Sequence, residues 1–329
     1  MKTGSEGEQA KQSAALDLNA PLQMKTILVP LDFSHASLHA LKYSLALGKE
    51  FKAGIHLIHV QPGADLTEVT HARHFMLNCA DAVALMQERL AEVEGKHDVK
   101  FRPDNCHIVS GRPYVEICKL ARELRVDLII LPTRGNSGLK HLALGSTAER
   151  VVRHAPCPVL VPRGEKFETT IWRSEPADTF RLRKILVPVD FSECSVAGLK
   201  YAALLARHFA AQLRLFHAVV PSAQTLAADR MGNGGPPPAP DDASTRVAQE
   251  MGKLAQLECL RGVRCETRIR VGSAVEEICA QSTRPEIDRV VTSTHGRTGL
   301  EHALIGSVAE HVVRSAQAPV LIVPSAEST

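Results

Sequence analysis

Apolar and polar residues follow two alternating rhythms along this chain, and the whole succession is written twice. Continuous β-rich apolar runs such as Thr26–Leu31 predict strands buried on both faces, as in parallel sheets. Between them, apolar residues recur every three or four positions and predict helices. Ala36–Glu50 is the first, opened by Ser34 and carrying Leu38, Leu41, Leu45 and Leu47. The rest of the first half predicts strands at Gly54–Val60, Val99–Val109, Leu128–Pro132 and Pro158–Pro162, with helices at His74–Glu94, Pro113–Arg122 and Ser146–His154. The second half predicts strands at Ile185–Val189, Gln212–Val219, Cys265–Arg270, Arg289–Ser293 and Pro319–Pro324. Its helices are Ser195–Phe209, Ala243–Leu260, Ala274–Gln281 and Ser307–Ala316.

Strands that alternate with helices build parallel βαβ units. The pattern therefore predicts an α/β fold of two tandem doubly wound, mostly parallel five-stranded sheets with helices on both faces. Ligands of such sheets lie at the carboxyl ends of the strands, where strand order reverses. The duplication is literal in places. Ile27-Leu28-Val29-Pro30-Leu31-Asp32-Phe33-Ser34 returns as Ile185-Leu186-Val187-Pro188-Val189-Asp190-Phe191-Ser192. The offset is 158 residues at Asp32/Asp190 and 161 at Gly145/Gly306, the size of a domain rather than of a solenoid unit. The expected organisation is a mobile tail at 1–23, a domain at 24–163, a linker at 164–182 and a second domain at 183–325. The Gly- and Pro-rich run 231–241 has no counterpart in the first half; it reads as a surface loop, either a lid or a tolerated insertion.

Composition narrows the class. The 329 residues are 44% hydrophobic and 23% charged, as in globular proteins, with a net charge of +3. Lys and Arg are scattered and aromatics are 4%, so neither a nucleic-acid footprint nor a polybasic membrane patch is visible. No apolar run reaches the length of a membrane span, and Met1–Ala20 lacks the apolar centre of a secretory signal. The eight cysteines sit singly, with Cys118 and Cys279 as twins expected to be buried reduced thiols. These features predict a cytoplasmic protein with neither nucleic acid nor membrane as partner.

Two segments carry candidate chemistry. Gly135-Asn136-Ser137-Gly138-Leu139 with Gly145-Ser146-Thr147-Ala148-Glu149 returns as Gly296-Arg297-Thr298-Gly299-Leu300 with Gly306-Ser307-Val308-Ala309-Glu310. Each follows a strand and opens a helix. Ser146-x-x-Glu149 and Ser307-x-x-Glu310 read as capping boxes, and glycine beside them lets the backbone come close to a ligand. Free amides and the helix dipole attract phosphate there. No nucleophile elbow, metal pair or P-loop lysine accompanies them, so no catalytic residue is assigned. His59, His217 and His295 read as hydrogen-bonded structural residues.

Pro30-x-Asp32-Phe33-Ser34, Leu57-Ile58-His59-Val60, the Gly135 to Ser146 segment and His154-Ala155-Pro156-Cys157-Pro158, with their second-half counterparts, resemble the universal stress protein family. The resemblance covers nearly all of residues 24–325. It implies an adenine nucleotide alpha hydrolase-like fold and a stress-response role. Its ATP-binding branch implies ATP, alone or with magnesium, as ligand. The implied contacts are Asp32 and Asp190 to the nucleoside and the backbone of Val60 and Ala218 to adenine, with Pro30, Pro188, Ser293 and His295 as further cofactor-binding residues. Gly135, Gly145, Ser146 and Thr147, and Gly296, Gly306, Ser307 and Val308, are implied for ribose and phosphates. The family's phosphate segment begins with a further glycine, which is Pro132 in one half and Ser293 in the other. Pro132 has no N–H to donate, whereas Ser293 keeps one, so the second half is the expected site. The resemblance also implies that the last strands pair, here as a pseudo-dimer within one chain, with association into a homodimer a further possibility. Two other readings stand beside nucleotide binding: a signalling adaptor of the same fold that binds no nucleotide, and an enzyme that hydrolyses ATP slowly or phosphorylates itself.

Overall fold

A computed structural model of the chain describes residues 21–62, 88, 102–132, 144–163, 180–220, 242–295 and 305–324. The first half runs β1 (Thr26–Pro30), α1 (His35–Phe51), β2 (Gly54–Pro62), β3 (Cys106–Gly111), α2 (Pro113–Glu123), β4 (Leu128–Ile130), α3 (Ser146–His154) and β5 (Val159–Val161). The second runs β6 (Lys184–Pro188), α4 (Glu193–Phe209), β7 (Gln212–Val219), α5 (Asp242–Ala255), β8 (Arg264–Val271), α6 (Ala274–Ser282), β9 (Arg289–Ser293), α7 (Ser307–Ser315) and β10 (Val320–Val323).

The α/β class is as the pattern predicts, and each half holds five parallel strands. The halves do not stand as separate sheets. Their strands form one ten-stranded sheet in the order β3-β2-β1-β4-β5-β10-β9-β6-β7-β8. The seam is the only antiparallel pairing among the described strands, with Leu160 opposite Leu321 at its centre. Every residue of β5 and β10 is buried, so each apolar edge covers the other. Within each half the order reverses between β1 and β4, and between β6 and β9.

Helices cover both faces. Leu41, Leu47, Leu199 and Leu205 of α1 and α4 pack one face together with Met251 of α5. Ile117, Val151, Ile278 and Val312 of α2, α3, α6 and α7 pack the other. Both cores run across the seam. Each fully buried aliphatic side chain contributes about 1.5–3 kcal/mol, so the seam is a core in its own right. On the α1/α4 face Arg289, buried, donates to the Tyr43 hydroxyl and lies over the Tyr43 and Phe180 rings, at 5.6 and 5.2 Å. Burial, partly offset by Arg289, pushes the Tyr43 hydroxyl up to about 12.

Local chemistry sets the element ends. Ser34 and Ser192 cap α1 and α4, each accepting from the amide three residues on at 3.2 Å, and both helices stop at a left-handed residue, Lys52 and Ala210. The expected helix Ala243–Leu260 stops at Ala255, and a 3-10 turn, Glu258–Leu260, tucks Cys259 and Leu260 into the core. The expected strand Val99–Val109 begins only at Cys106, because Pro103–Asn105 forms a 3-10 turn. At the other end of the sheet, Asp127 accepts from the amides of Lys25 and Thr26 at 2.7 and 2.9 Å, and Asp288 does the same for Arg183 and Lys184. Leu182, at the end of the expected linker, is buried like Phe180 beside it. Residues 1–20, 164–179 and 231–241, and all of His74–Glu94 but Glu88, lie outside the described residues.

Candidate functional site

The loop after the first strand of each half is built the same way. Phe33 and Phe191 take left-handed φ values of 62° and 66°, which turn the chain sharply after the aspartate. Asp32 Oδ1 accepts from the Ser34 amide at 3.0 Å and its hydroxyl at 2.6 Å, and Asp190 accepts from Ser192 at 3.1 and 2.6 Å. Both carboxylates are thus loop anchors that remain at the strand's carboxyl end. His59 Nδ1 donates to the Leu31 carbonyl at 2.8 Å, with its ring 4.7 Å from Phe33. His217 donates to Val189 at 2.7 Å, 4.6 Å from Phe191. These histidines hold the loop.

The helix openings differ from the expected capping boxes. Gly145 and Gly306 are the N-caps, and neither Ser146 nor Ser307 closes the end, because each already stands in the first helical position. Glu149 turns along its helix to Arg153 at 3.0 Å, and Glu310 to Arg314 at 2.5 Å. The correction has a chemical consequence. First-turn amides lack an intrahelical partner, and no side chain of the described residues caps them here. The Gly306 amide itself donates to the Thr294 carbonyl at 2.8 Å, which ties the start of α7 to the end of β9.

The strand ends and helix openings enclose a cleft in each half, at the point where strand order reverses. The first, about 180 Å³, is lined by Pro30, Asp32, Val60, Pro132, Gly145, Ser146 and Thr147. The second, about 420 Å³, is lined by Pro188, Asp190, Ala218, Ser293, His295, Gly306, Ser307 and Val308. Every candidate residue within the described segments therefore lines the cleft of its own half. Gly135 and Gly296 lie outside the described residues. The Ser293 hydroxyl donates to the His295 carbonyl at 2.8 Å, and Thr294 Oγ1 lies 2.9 Å from His295 Nδ1.

One wall escaped the sequence reading. Pro113 and Ile117 of α2, and Ala274 and Ile278 of α6, also line the clefts. The signal was a third repeated spacing, Gly111 to Ile117 and Gly272 to Ile278. Gly111 and Gly272 have φ of +154° and +153°, and a Cβ would sit 2.9 Å from Glu116 Oε1 in one and 3.1 Å from Glu277 Cγ in the other. That turn brings each helix back over the sheet.

Reactive groups lie elsewhere. None of the seven described cysteines forms a disulfide. Cys118 is buried, and burial pushes its thiol up to about 11; Cys279 is only half-buried, contrary to expectation, with its thiol also raised by desolvation. Such thiols are poor nucleophiles at neutral pH. His56 Nδ1 and His107 Nε2 lie 3.1 Å apart on β2 and β3, and desolvation lowers both below their ordinary value. No cluster of three or more metal-ligating side chains is present among the described residues. None of the described helices is long and apolar enough to cross a membrane.

A tandem of doubly wound domains with clefts at their switch points agrees with the adenine nucleotide alpha hydrolase-like fold, which the universal stress proteins that this chain matches have. The universal stress protein family matches over residues 24–163 and again over 181–324. The chain belongs to that family, carries its domain twice and is a stress-related protein. Universal stress protein MJ0531 of Methanocaldococcus jannaschii is 33% identical over 144 residues, 44% of this chain and 85% of its own. YxiE of Bacillus subtilis is 32% identical over 144 residues, 42% of this chain and 97% of its own. Each such relative corresponds to less than half of the chain, as a duplication requires. A universal stress protein structure from Archaeoglobus fulgidus superposes over 92% of this chain and 99% of its own, with a TM-score of 0.61 at 22% identity.

Proposed function

We propose that this chain binds an adenine nucleotide, ATP alone or with magnesium, in its second cleft, as a cytoplasmic stress-response protein. The observation that carries the reading is the start of α7: a helix end opened by glycine, with no side-chain cap, bordering a cleft of about 420 Å³. Its amides and dipole suit phosphate oxygens, and the Ser307 hydroxyl stands beside them. Asp190, oriented by Ser192, and the backbone at Ala218 supply the nucleoside contacts that the family resemblance implies. Pockets for small molecules run to about 300–1,000 Å³, which includes the second cleft and leaves the first, at about 180 Å³, below the range. Pro132 further removes an amide from the first cleft.

Binding rather than turnover is the activity in this reading. The sequence has no P-loop lysine to balance the charge of a transferring phosphoryl group, so the nucleotide acts as a signal or a clamp. The β5–β10 seam stands in for the contact between two single-domain chains, making the chain a pseudo-dimer. A further homodimer needs another surface, and concentration-dependent mass in light scattering tests for it.

Gly306→Asp tests the site without threatening the fold. The Gly306 φ of −58° suits any residue, and aspartate is a favoured N-cap. Its carboxylate would satisfy the amides itself and repel phosphates. Calorimetric ATP affinity is expected to fall at least about tenfold, roughly 1.4 kcal/mol, with thermal stability maintained. Unchanged affinity would remove the site.

A further inference from the structure

We propose that the outer face of α2 and α3 is a docking surface for an acidic segment of a partner protein, a surface that α6 and α7 do not repeat. The proposal goes beyond the nucleotide reading and does not depend on what the second cleft binds.

The duplication supplies the comparison. Lys119 and Arg122 lie on one face of α2, Arg125 follows just past its end, and Arg150 stands on the neighbouring α3. All four are exposed. At the 161-residue offset that relates Gly145 to Gly306, their counterparts are Ala280, Thr283, Glu286 and His311. The same surface of the same fold therefore carries four permanent cations in one half and none at those positions in the other. Two of the four also hold the helices together. Arg122 donates to the Cys118 and His154 carbonyls at 3.3 Å, and Arg150 lies over the Tyr114 ring at 5.3 Å. Lys119 and Arg125 have no side-chain partner among the described residues, and none of the four meets a carboxylate there. Cations in a last turn complement the helix dipole, but α6 has no basic residue in its last turn and forms all the same.

The pattern of the face selects the partner. Glu123, also exposed, falls between Arg122 and Arg125 in sequence, and Val115, 39% exposed, stands one turn before Lys119. A phosphate-coated surface, whether duplex or bilayer, presents anions alone; it repels Glu123 and leaves Val115 bare. An acidic protein segment answers the cations with carboxylates and still offers a cation to Glu123 and an apolar side chain to Val115. Complementary charge of this kind fixes register and speeds encounter. On the second half, Glu276 replaces Val115 and Glu286 replaces Arg125, with Arg284, in place of Glu123, as the one cation gained. The second face thus sets carboxylates against the same segment, which restricts docking to the first.

The test is the full chain titrated by fluorescence anisotropy with a dye-labelled peptide of glutamate and leucine. Lys119→Gln/Arg125→Gln removes two charges whose side chains have no partner to lose. Ala280→Glu/His311→Glu changes the net charge by the same amount on the opposite half. The first variant is expected to lose affinity about fivefold or more and the second to stay within about twofold of wild type, with binding weakened by added salt. Equal urea midpoints confirm that both variants are folded. Failure of the wild-type chain to bind the peptide overturns the proposal, and so does an equal loss in both variants, which would reflect net charge alone. A random-sequence DNA duplex and phosphatidylserine vesicles are titrated in parallel. Tighter binding to either of these, lost in Lys119→Gln/Arg125→Gln, would assign the face to phosphate instead and also overturn the proposal.

Discussion

Asp127 and Asp288 each collect two strand-opening amides from more than 100 residues away, and nothing local in the sequence marks them for it. Asp288 is buried, so Asp288→Ala leaves the Arg183 and Lys184 amides unpaired; urea denaturation should show a loss of about 1–3 kcal/mol. Equal stability would show that water replaces the carboxylate. The His56–His107 pair makes a second residue-scale prediction. Desolvation lowers both imidazoles from the ordinary 6.5, with Glu123 opposing it at His107, so the unfolded chain binds more protons than the folded one at mildly acidic pH. Their contribution is fully present above about pH 6.5 and is lost as pH falls through the lowered values. The urea midpoint should drop between pH 7.5 and 5.5, and the drop should shrink in His56→Gln/His107→Gln. A drop of the same size in that variant would place the acid sensitivity elsewhere. At this scale the sequence was legible where residues repeat. Asp32, Asp190, Gly145 and Gly306 stand out because they occur twice. Arg289, Tyr43 and Phe180 meet across the seam without any periodic signal, which is why that contact was not foreseen.

At the scale of elements, hydrophobic rhythm located every described strand and helix, and the ends were where it failed. A capping box is a statement about side-chain hydrogen bonds. In α3 and α7 the glutamate has a competing partner one turn on, Arg153 or Arg314, and the serine is already inside the helix. The i to i+4 ion pair prevails over the cap, and the opening is left to its amides. The turn into α6 depends on Gly272 at φ +153°, with a Cβ position crowded by Glu277. Gly272→Ala should therefore destabilise the chain by about 1 kcal/mol or more, read as a lower melting temperature, and weaken ligand binding by shifting Ala274 and Ile278. An unshifted melting temperature would mean that the turn relaxes freely.

Across the whole molecule, duplication predicted two domains, and the structure merges their sheets through β5 and β10. That pairing was expected from the apolar edges Pro158–Pro162 and Pro319–Pro324 together with the family resemblance, whereas local pattern alone leaves open whether such an edge meets another chain or its own twin. Leu321, buried at the seam, is the position to break. Leu321→Asp places a carboxylate in apolar surroundings at a cost of several kcal/mol. Scanning calorimetry should convert one unfolding transition into two as the halves uncouple. A single unshifted transition would show that the seam contributes little to cooperativity. The asymmetry between the halves is likewise a whole-molecule property. The same frame carries a narrow cleft beside Pro132 and a wide one beside Ser293.

The small-molecule content of the freshly purified chain bears most directly on the central claim. The wild-type protein and Gly306→Asp would be denatured, and the released adenine nucleotide quantified by chromatography with mass spectrometry. The account predicts adenine nucleotide with the wild-type chain, approaching one per chain when ATP is supplied before purification, and little or none with the variant. Equal amounts from both proteins, or none from the wild type even after ATP is supplied, would contradict it.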